Sequence, residues 1–148
     1  MGKIARVNNT VQNKQFLGGY LKSASSYPAG DFLIRLKNAS MINKKEFLIR
    51  RTHLVEELAK ALLRENYLEK ITEENGNLMI RLAFQKKEPR LTDIKLISKP
   101  GLRIYIKLNE LVRRRAPSIL IISTPKGIKT SNEALKEKLG GEVIAEIL

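Results

Sequence analysis

Leu54, Val55, Leu58, Ala59, Leu62 and Leu63 fall at i, i+1, i+4, i+5, i+8 and i+9, so they make one apolar stripe down a helix whose opposite face carries Glu56, Glu57, Lys60 and Arg64. A stripe of that width has to be covered, and the segments around it have the two-residue period of strands. Thr52 opens the helix and Asn66 sits where a left-handed cap is wanted. Residues 67–72 and 78–84 flank Glu73-Glu74-Asn75-Gly76-Asn77, and both members of the Asn-Gly pair tolerate positive φ. That predicts a hairpin with Leu78, Ile80, Leu82 and Phe84 on its buried face. Upstream, residues 46–51 alternate with Phe47 and Ile49 on one side, and Asp31 caps a shorter helix through Phe32, Leu33, Leu36 and Ala39. Residues 91–97 supply a further strand.

The pattern changes at Ser98-Lys99-Pro100-Gly101, a turn by composition. Beyond it Ile104, Ile106 and Leu108 alternate with Arg103, Tyr105 and Lys107, which predicts a strand with one core face and one basic face bearing an aromatic. A short polar helix is expected over 109–115. Ser118-Ile119-Leu120-Ile121-Ile122 is continuous and apolar, hence a strand covered on both sides. It runs into Ser123-Thr124-Pro125-Lys126-Gly127. Thr130 and Glu133 form a capping box for a helix through Leu139, Gly140-Gly141 ends that helix, and 143–148 return as a final strand. The expected fold class is α/β (α+β) in two small subdomains. Residues 30–97 form a helix-and-hairpin layer, and 98–148 a mostly β half with one short helix. Residues 1–29 lack sustained periodicity and read as an N-terminal extension, either an arm that touches RNA or a targeting segment.

Charge then narrows the partner. The chain has 28 Lys+Arg against 15 Asp+Glu, a formal net charge of +13, and a pI near 10.1, which points to an extended polyanion. The excess lies at the two ends: four positive and no negative charges over 1–29, ten and five over 98–148. Between residues 99 and 129, Lys99, Arg103, Lys107, Arg113, Arg114, Arg115, Lys126 and Lys129 are opposed by Glu110 alone. With no Cys and a single His, His53, thiolate zinc sites and cysteine nucleophiles are excluded, and no catalytic residue, metal or cofactor is expected. No apolar run reaches the roughly 18 residues of a membrane span, so no membrane partner is expected, nor a small-molecule substrate. Two rival classes fare worse. A nucleic-acid-processing enzyme needs an acid-base or metal cluster that the inventory lacks, and a membrane-surface adaptor needs a basic amphipathic helix, whereas the 53–65 helix mixes acids with its bases.

The loop 123–127 places hydroxyls, an ammonium and exposed amides at one strand end, chemistry suited to phosphate and sugar. Ser-Lys-Pro-Gly-Leu-Arg-Ile-Tyr at 98–105, Ser-Thr-Pro-Lys-Gly-Ile at 123–128 and Leu-Gly-Gly-Glu-Val-Ile at 139–144 resemble, in order and spacing, three signatures of the bacterial and organellar small-subunit ribosomal protein eight family. Weaker similarity extends over 30–148. The resemblance implies a two-part α/β fold and a structural, non-enzymatic role in the small ribosomal subunit. It also implies binding to the central domain of its ribosomal RNA, early assembly, and neighbouring small-subunit proteins as partners. It makes Ser123, Thr124, Lys126, Gly127 and Glu142 the leading RNA contacts, to which Pro125, Lys129, Lys99, Arg103, Tyr105 and Arg113 to Arg115 are added from the basic face. Pro125 stands where the family usually has a second Ser, Ala116-Pro117-Ser118 replaces the usual Gly-Leu-Gly, and the usual aromatic end is Glu146-Ile147-Leu148. Composition rich in Ile, Lys and Asn, together with the extension, leans toward a ribosome in an organelle, a mitochondrion before a plastid, with bacterial cytoplasm as the alternative.

Overall fold

The computed structural model describes residues 27–148, so the extension 1–29 lies outside the described residues except for its last three. Helix α1 (Pro28–Met41) starts three residues before the expected cap, which leaves Asp31 in the first turn, where its charge suits the helix N-terminus. Phe32, Leu33, Leu36 and Ala39 are buried as their spacing requires. Strand β1 (Glu46–Arg50) buries Ile49 and exposes Leu48. Helix α2 (His53–Arg64) is capped by Thr52, whose Oγ1 accepts the Val55 N–H at 3.1 Å. Its buried stripe is Val55, Leu58, Ala59, Ala61 and Leu62. Ala61 joins the stripe on the side of Leu54, while Leu54 itself is exposed in the first turn and Leu63 is only half-buried. Asn66 takes the left-handed conformation at φ 66°.

Strands β2 (Leu68–Glu74) and β3 (Asn77–Leu82) form the hairpin, with Asn75 and Gly76 at φ 50° and 81°, the pair of positive angles that a two-residue turn demands. The first sheet is antiparallel in the order β1-β3-β2. Leu78, Ile80 and Leu82 fill its inner face, while Phe84 is half-buried and leaves the hairpin to start β4 (Phe84–Gln85), which pairs with β5 (Glu88–Pro89).

Strand β6 (Ile94–Leu96) is three residues long and belongs to the second sheet, so that sheet recruits chain from before the turn at Ser98. Next come β7 (Tyr105–Ile106), α3 (Leu108–Arg113), β8 (Ile119–Thr124), β9 (Gly127–Thr130), α4 (Ser131–Glu137) and β10 (Gly141–Ile147). The order is β6-β10-β8-β9, with β7 also on β10. Leu111, Leu120, Ile122, Ala134 and Val143 form one core cluster, with Ile97 and Ile106 packed against it. The expected strand through 104–108 shrinks to two residues, and Ile104 stays exposed instead of facing the core. The capping box of α4 is present: Thr130 Oγ1 accepts the Glu133 N–H and Glu133 Oε1 accepts the Thr130 N–H. Lys138, at φ 58°, terminates that helix, not the Gly-Gly pair.

Both sheets lie in one compact unit, Phe32–Leu148, and α2 ties them together. Arg64 donates to both Glu133 oxygens at 2.5 and 3.1 Å and to the Ile128 carbonyl. Thr130 Oγ1 donates to Glu65, and Ile128 N–H donates to Glu57 at 3.1 Å. Burial pushes the Glu133 carboxyl up, but hydrogen bonds from Arg64 and the Thr130 backbone, with the charges of Arg64 and Lys129, outweigh it and leave the group below its ordinary value. A folded-state pKa below the unfolded one means that the tie stabilises at neutral pH and is lost as pH falls through the depressed value. Urea midpoints measured down a series of acidic buffers are therefore expected to drop more steeply for wild type than for Glu133→Gln, which lacks the titrating group. Parallel curves would remove Glu133 from the tie.

Candidate nucleic-acid interface

The Gly140-Gly141 pair is required by crowding. A Cβ on Gly141 would lie 2.1 Å from the Ser123 carbonyl oxygen, and one on Gly140 2.6 Å from that of Ile106. Backbone therefore passes between two strands with no room for a side chain, and β10 opens flanked by both. The register follows: Glu142 is opposite Tyr105 on β7 and opposite Ser123 on β8. Directly paired residues on antiparallel strands share a face, so three segments far apart in sequence put Tyr105, Glu142 and Ser123 in one row at one end of the second sheet. Tyr105 is 68% exposed. Glu142 accepts from Arg103 Nη1 at 3.1 Å, which gives a carboxylate in a basic region a fixed cationic partner.

The loop that ends β8 is built from its own hydroxyl. Thr124 Oγ1 donates to the Gly127 carbonyl at 2.8 Å and accepts the Lys126 N–H at 3.1 Å, and the residue is buried. Its side chain shapes the turn, while Pro125 and Lys126 stand exposed at the tip. Gly127 has φ 104° and closely approaches Glu57 Oε1 of α2. Lys129 is half-buried and pairs with Glu137 at 3.2 Å.

The arginine run divides. Arg114 turns inward: Nη1 donates to the Ser118 carbonyl at 2.8 Å, Nη2 to the Ser118 hydroxyl at 2.5 Å and to Glu146 at 3.4 Å, and Ser118 Oγ in turn donates to Glu146. Arg113 and Arg115 are exposed, with Arg115 Nη1 on the carbonyls of Val112 and Arg114. Lys99 is exposed in the turn closed by its two backbone hydrogen bonds with Leu102. Fully buried Ser98 accepts the Ile104 N–H at 2.9 Å and donates to the Ile104 carbonyl, and so holds the chain that leads into Tyr105. His53 contacts Glu57 on its own helix. Among the described residues no group of three or more His, Cys, Asp or Glu side chains could hold a metal, and no helix is long and apolar enough to cross a membrane.

Residues 28–148 match the family described as ribosomal protein S8. The chain belongs to that family. Similar proteins include the small ribosomal subunit protein uS8 of Nitratidesulfovibrio vulgaris, 35% identical over 121 residues that cover 81% of this chain and 96% of the relative. The uS8 of Persephonella marina is 38% identical over 131 residues, with the same coverage. That of Trichormus variabilis is 37% identical, covering 84% of this chain and 98% of the relative.

In this S8-family chain the structure brings Ser123, Glu142, Tyr105 and Arg103 together at one sheet end and sets Lys126 on the adjoining loop. It assigns Thr124 and Arg114 to internal hydrogen bonds. Sequence reasoning passed over the positioning residues Ser98, Ser118 and Glu146. The signal for the last two was present in the replacement of Gly by Ser at 118 together with an acid near the chain's end, two changes that the structure shows to be hydrogen-bonded to each other.

Proposed function

We propose that this protein is a structural constituent of the small ribosomal subunit, not an enzyme. On this reading it binds the central domain of small-subunit ribosomal RNA and supports its assembly. The observation that carries the RNA assignment is the cross-strand row Tyr105, Glu142, Ser123, an exposed aromatic, an oriented acceptor and a hydroxyl on one face beside a cationic rim. The row suits direct recognition of irregular RNA. Lys99, Arg103, Arg113, Arg115 and Lys126 suit phosphates, with Lys129 behind them. Thr124, Pro125 and Gly127 set the loop's shape, and Arg114 fixes the end of α3 from which its neighbours project. On this reading residues 98–148 are the RNA-binding subdomain, 30–97 its α/β support, and 1–29 an RNA-contacting or targeting arm. Other small-subunit proteins are neighbours.

The salt dependence of binding to an RNA carrying the cognate site tests the phosphate assignment. Each phosphate neutralised contributes roughly 0.7 to 0.9 to the slope of log affinity against log salt. Arg113→Ala with Arg115→Ala is expected to flatten the slope by up to about 1.4 to 1.8, and Arg114→Ala to lower the melting temperature first. An unchanged slope in the double variant would take both arginines out of the interface. For the compartment, the finer reading is an organellar ribosome, a mitochondrion before a plastid, with bacterial cytoplasm as the alternative. It is supported by the Ile, Lys and Asn content and by the acid-free residues 1–27 that precede the family match. Peptide mapping of ribosomes purified from each compartment decides it.

A further inference from the structure

Among the described residues no strand pairs with the outer edge of β1, and an apolar groove lies beside it. Leu82 N–H donates to the Lys45 carbonyl and Arg51 N–H to that of Gly76, and the register between them pairs Phe47 with Ile80 and Ile49 with Leu78. Antiparallel ladders alternate, so the odd-numbered residues of this segment bond to β3, and the backbone groups of Glu46, Leu48 and Arg50 point away from the sheet. The Leu48 carbonyl confirms the phase, since it accepts from Arg35 Nη1 of α1 at 3.3 Å. Facing that edge, Arg35 and Asn38 of α1, Ile42 just beyond its end, and Lys44, Phe47 and Leu48 line a groove of about 340 Å³. Ile42 is 72% exposed, Met41 69% and Leu48 45%.

We propose that this groove takes an extended segment of another protein, which adds to the edge of β1 as a further strand, its apolar side chains on Ile42 and Leu48 and its carboxylates toward the surrounding cations. Three observations select that occupant. The outward N–H and C=O groups repeat at strand pitch, which a peptide backbone matches and a phosphate backbone does not. The exposed apolar side chains gain from burial only against apolar atoms. Arg35 already donates to the Leu48 carbonyl, so the cations that face an incoming segment are Lys44 on the groove with Lys45 and Arg50 along the strand, whereas Glu46 is held by Arg81 at 2.9 Å. Edge cations by themselves guard a strand against self-pairing and would repel a second copy, which brings the same cations. They do not account for isoleucine and leucine left open beside them. At about 3.4 Å per residue, the five residues of β1 fit a segment of about five. This surface lies on the opposite subdomain from the RNA row and does not depend on it.

The test uses the full chain, ¹⁵N-labelled, titrated with an acetylated, amide-ended peptide of sequence Ile-Glu-Val-Glu-Ile-Glu. Saturable shifts and slowed hydrogen exchange are expected at the Leu48 and Arg50 amides, with none at Tyr105 or Lys126. Ile42→Asp should weaken binding about tenfold, and a peptide N-methylated on one edge or carrying Lys for Glu should bind far more weakly still. Ile42 is largely exposed, so the variant should fold, as a thermal melt will show; Leu48→Asp serves as the second variant. The proposal is overturned if the Leu48 and Arg50 amides do not respond, or if the N-methylated peptide binds as well. It is overturned equally if those amides shift with protein concentration alone, which makes the occupant a second copy, or if an RNA hairpin displaces the peptide.

Discussion

Gly141→Ala is expected to lower the free energy of unfolding by about 3 kcal/mol, at the upper end for inserting one carbon into packed structure. The added Cβ would meet the Ser123 carbonyl oxygen at 2.1 Å and the Ser123 carbonyl carbon at 3.0 Å. Both belong to the backbone of a paired strand, so no rotamer change relieves the clash, and β8 and β10 must separate at the point where the row of Tyr105, Glu142 and Ser123 is assembled. RNA affinity should fall with stability. Gly76→Ala is the control: its Cβ would meet nothing within 4 Å, and only the left-handed φ of 81° is strained, for a cost of about 1 kcal/mol. Urea denaturation of both variants gives the comparison. Equal losses would mean that the strands at 141 have room to spare and that the Gly-Gly pair has another purpose.

Tyr105→Ala is expected to act on binding and leave the fold intact. Stacking of an aromatic on a base contributes about 1 to 3 kcal/mol, so affinity for the cognate RNA should drop roughly 5- to 150-fold. The ring is 68% exposed, and the melting temperature should stay within a degree or two of wild type, a shift on the order of a few tenths of a kcal/mol. Tyr105→Phe keeps the ring face and should keep most of the affinity. If Tyr105→Ala binds like wild type, the row is not the recognition surface, whatever the arginines contribute. If Phe is as poor as Ala, the hydroxyl and not the ring makes the contact.

What could be read before any coordinates were those features whose cause lies within a few residues. Asn75-Gly76 set the hairpin because both must accept positive φ, Thr52 and Thr130 marked helix starts because their hydroxyls reach an amide three residues on, and the 54–63 stripe followed from helical period, although its end members Leu54 and Leu63 are not buried. Partnership was not legible. The composition of 91–97 predicts a strand but not that its partner lies some fifty residues later in β10, and so the second sheet borrows from the first half of the chain. The candidate site divides along the same line. Glu142, Ser123 and Tyr105 were each identified, yet their adjacency is a matter of register. Thr124 and Arg114 carry groups that could serve RNA as well as the fold, and only the positions of Gly127, Ser118 and Glu146 show which use is made of them. Gly140-Gly141 looked like a helix stop because glycine commonly is one. The close approach of two distant strands leaves no local trace.

Strand β10 is last in sequence but central in its sheet, between β6 and β7 on one side and β8 on the other. Among the described residues strands β6 and β7 pair with no other strand, so as the polypeptide emerges during synthesis they must wait, unpaired, until residues 141–147 have been added. Such non-local closure is slow and leaves apolar edges uncovered meanwhile. It also makes the row of Tyr105, Glu142 and Ser123 an all-or-none product: under the proposed RNA-binding role, a nascent chain that already displays its arginines would attract RNA loosely, but the shaped surface exists only once residues 141–147 have been added.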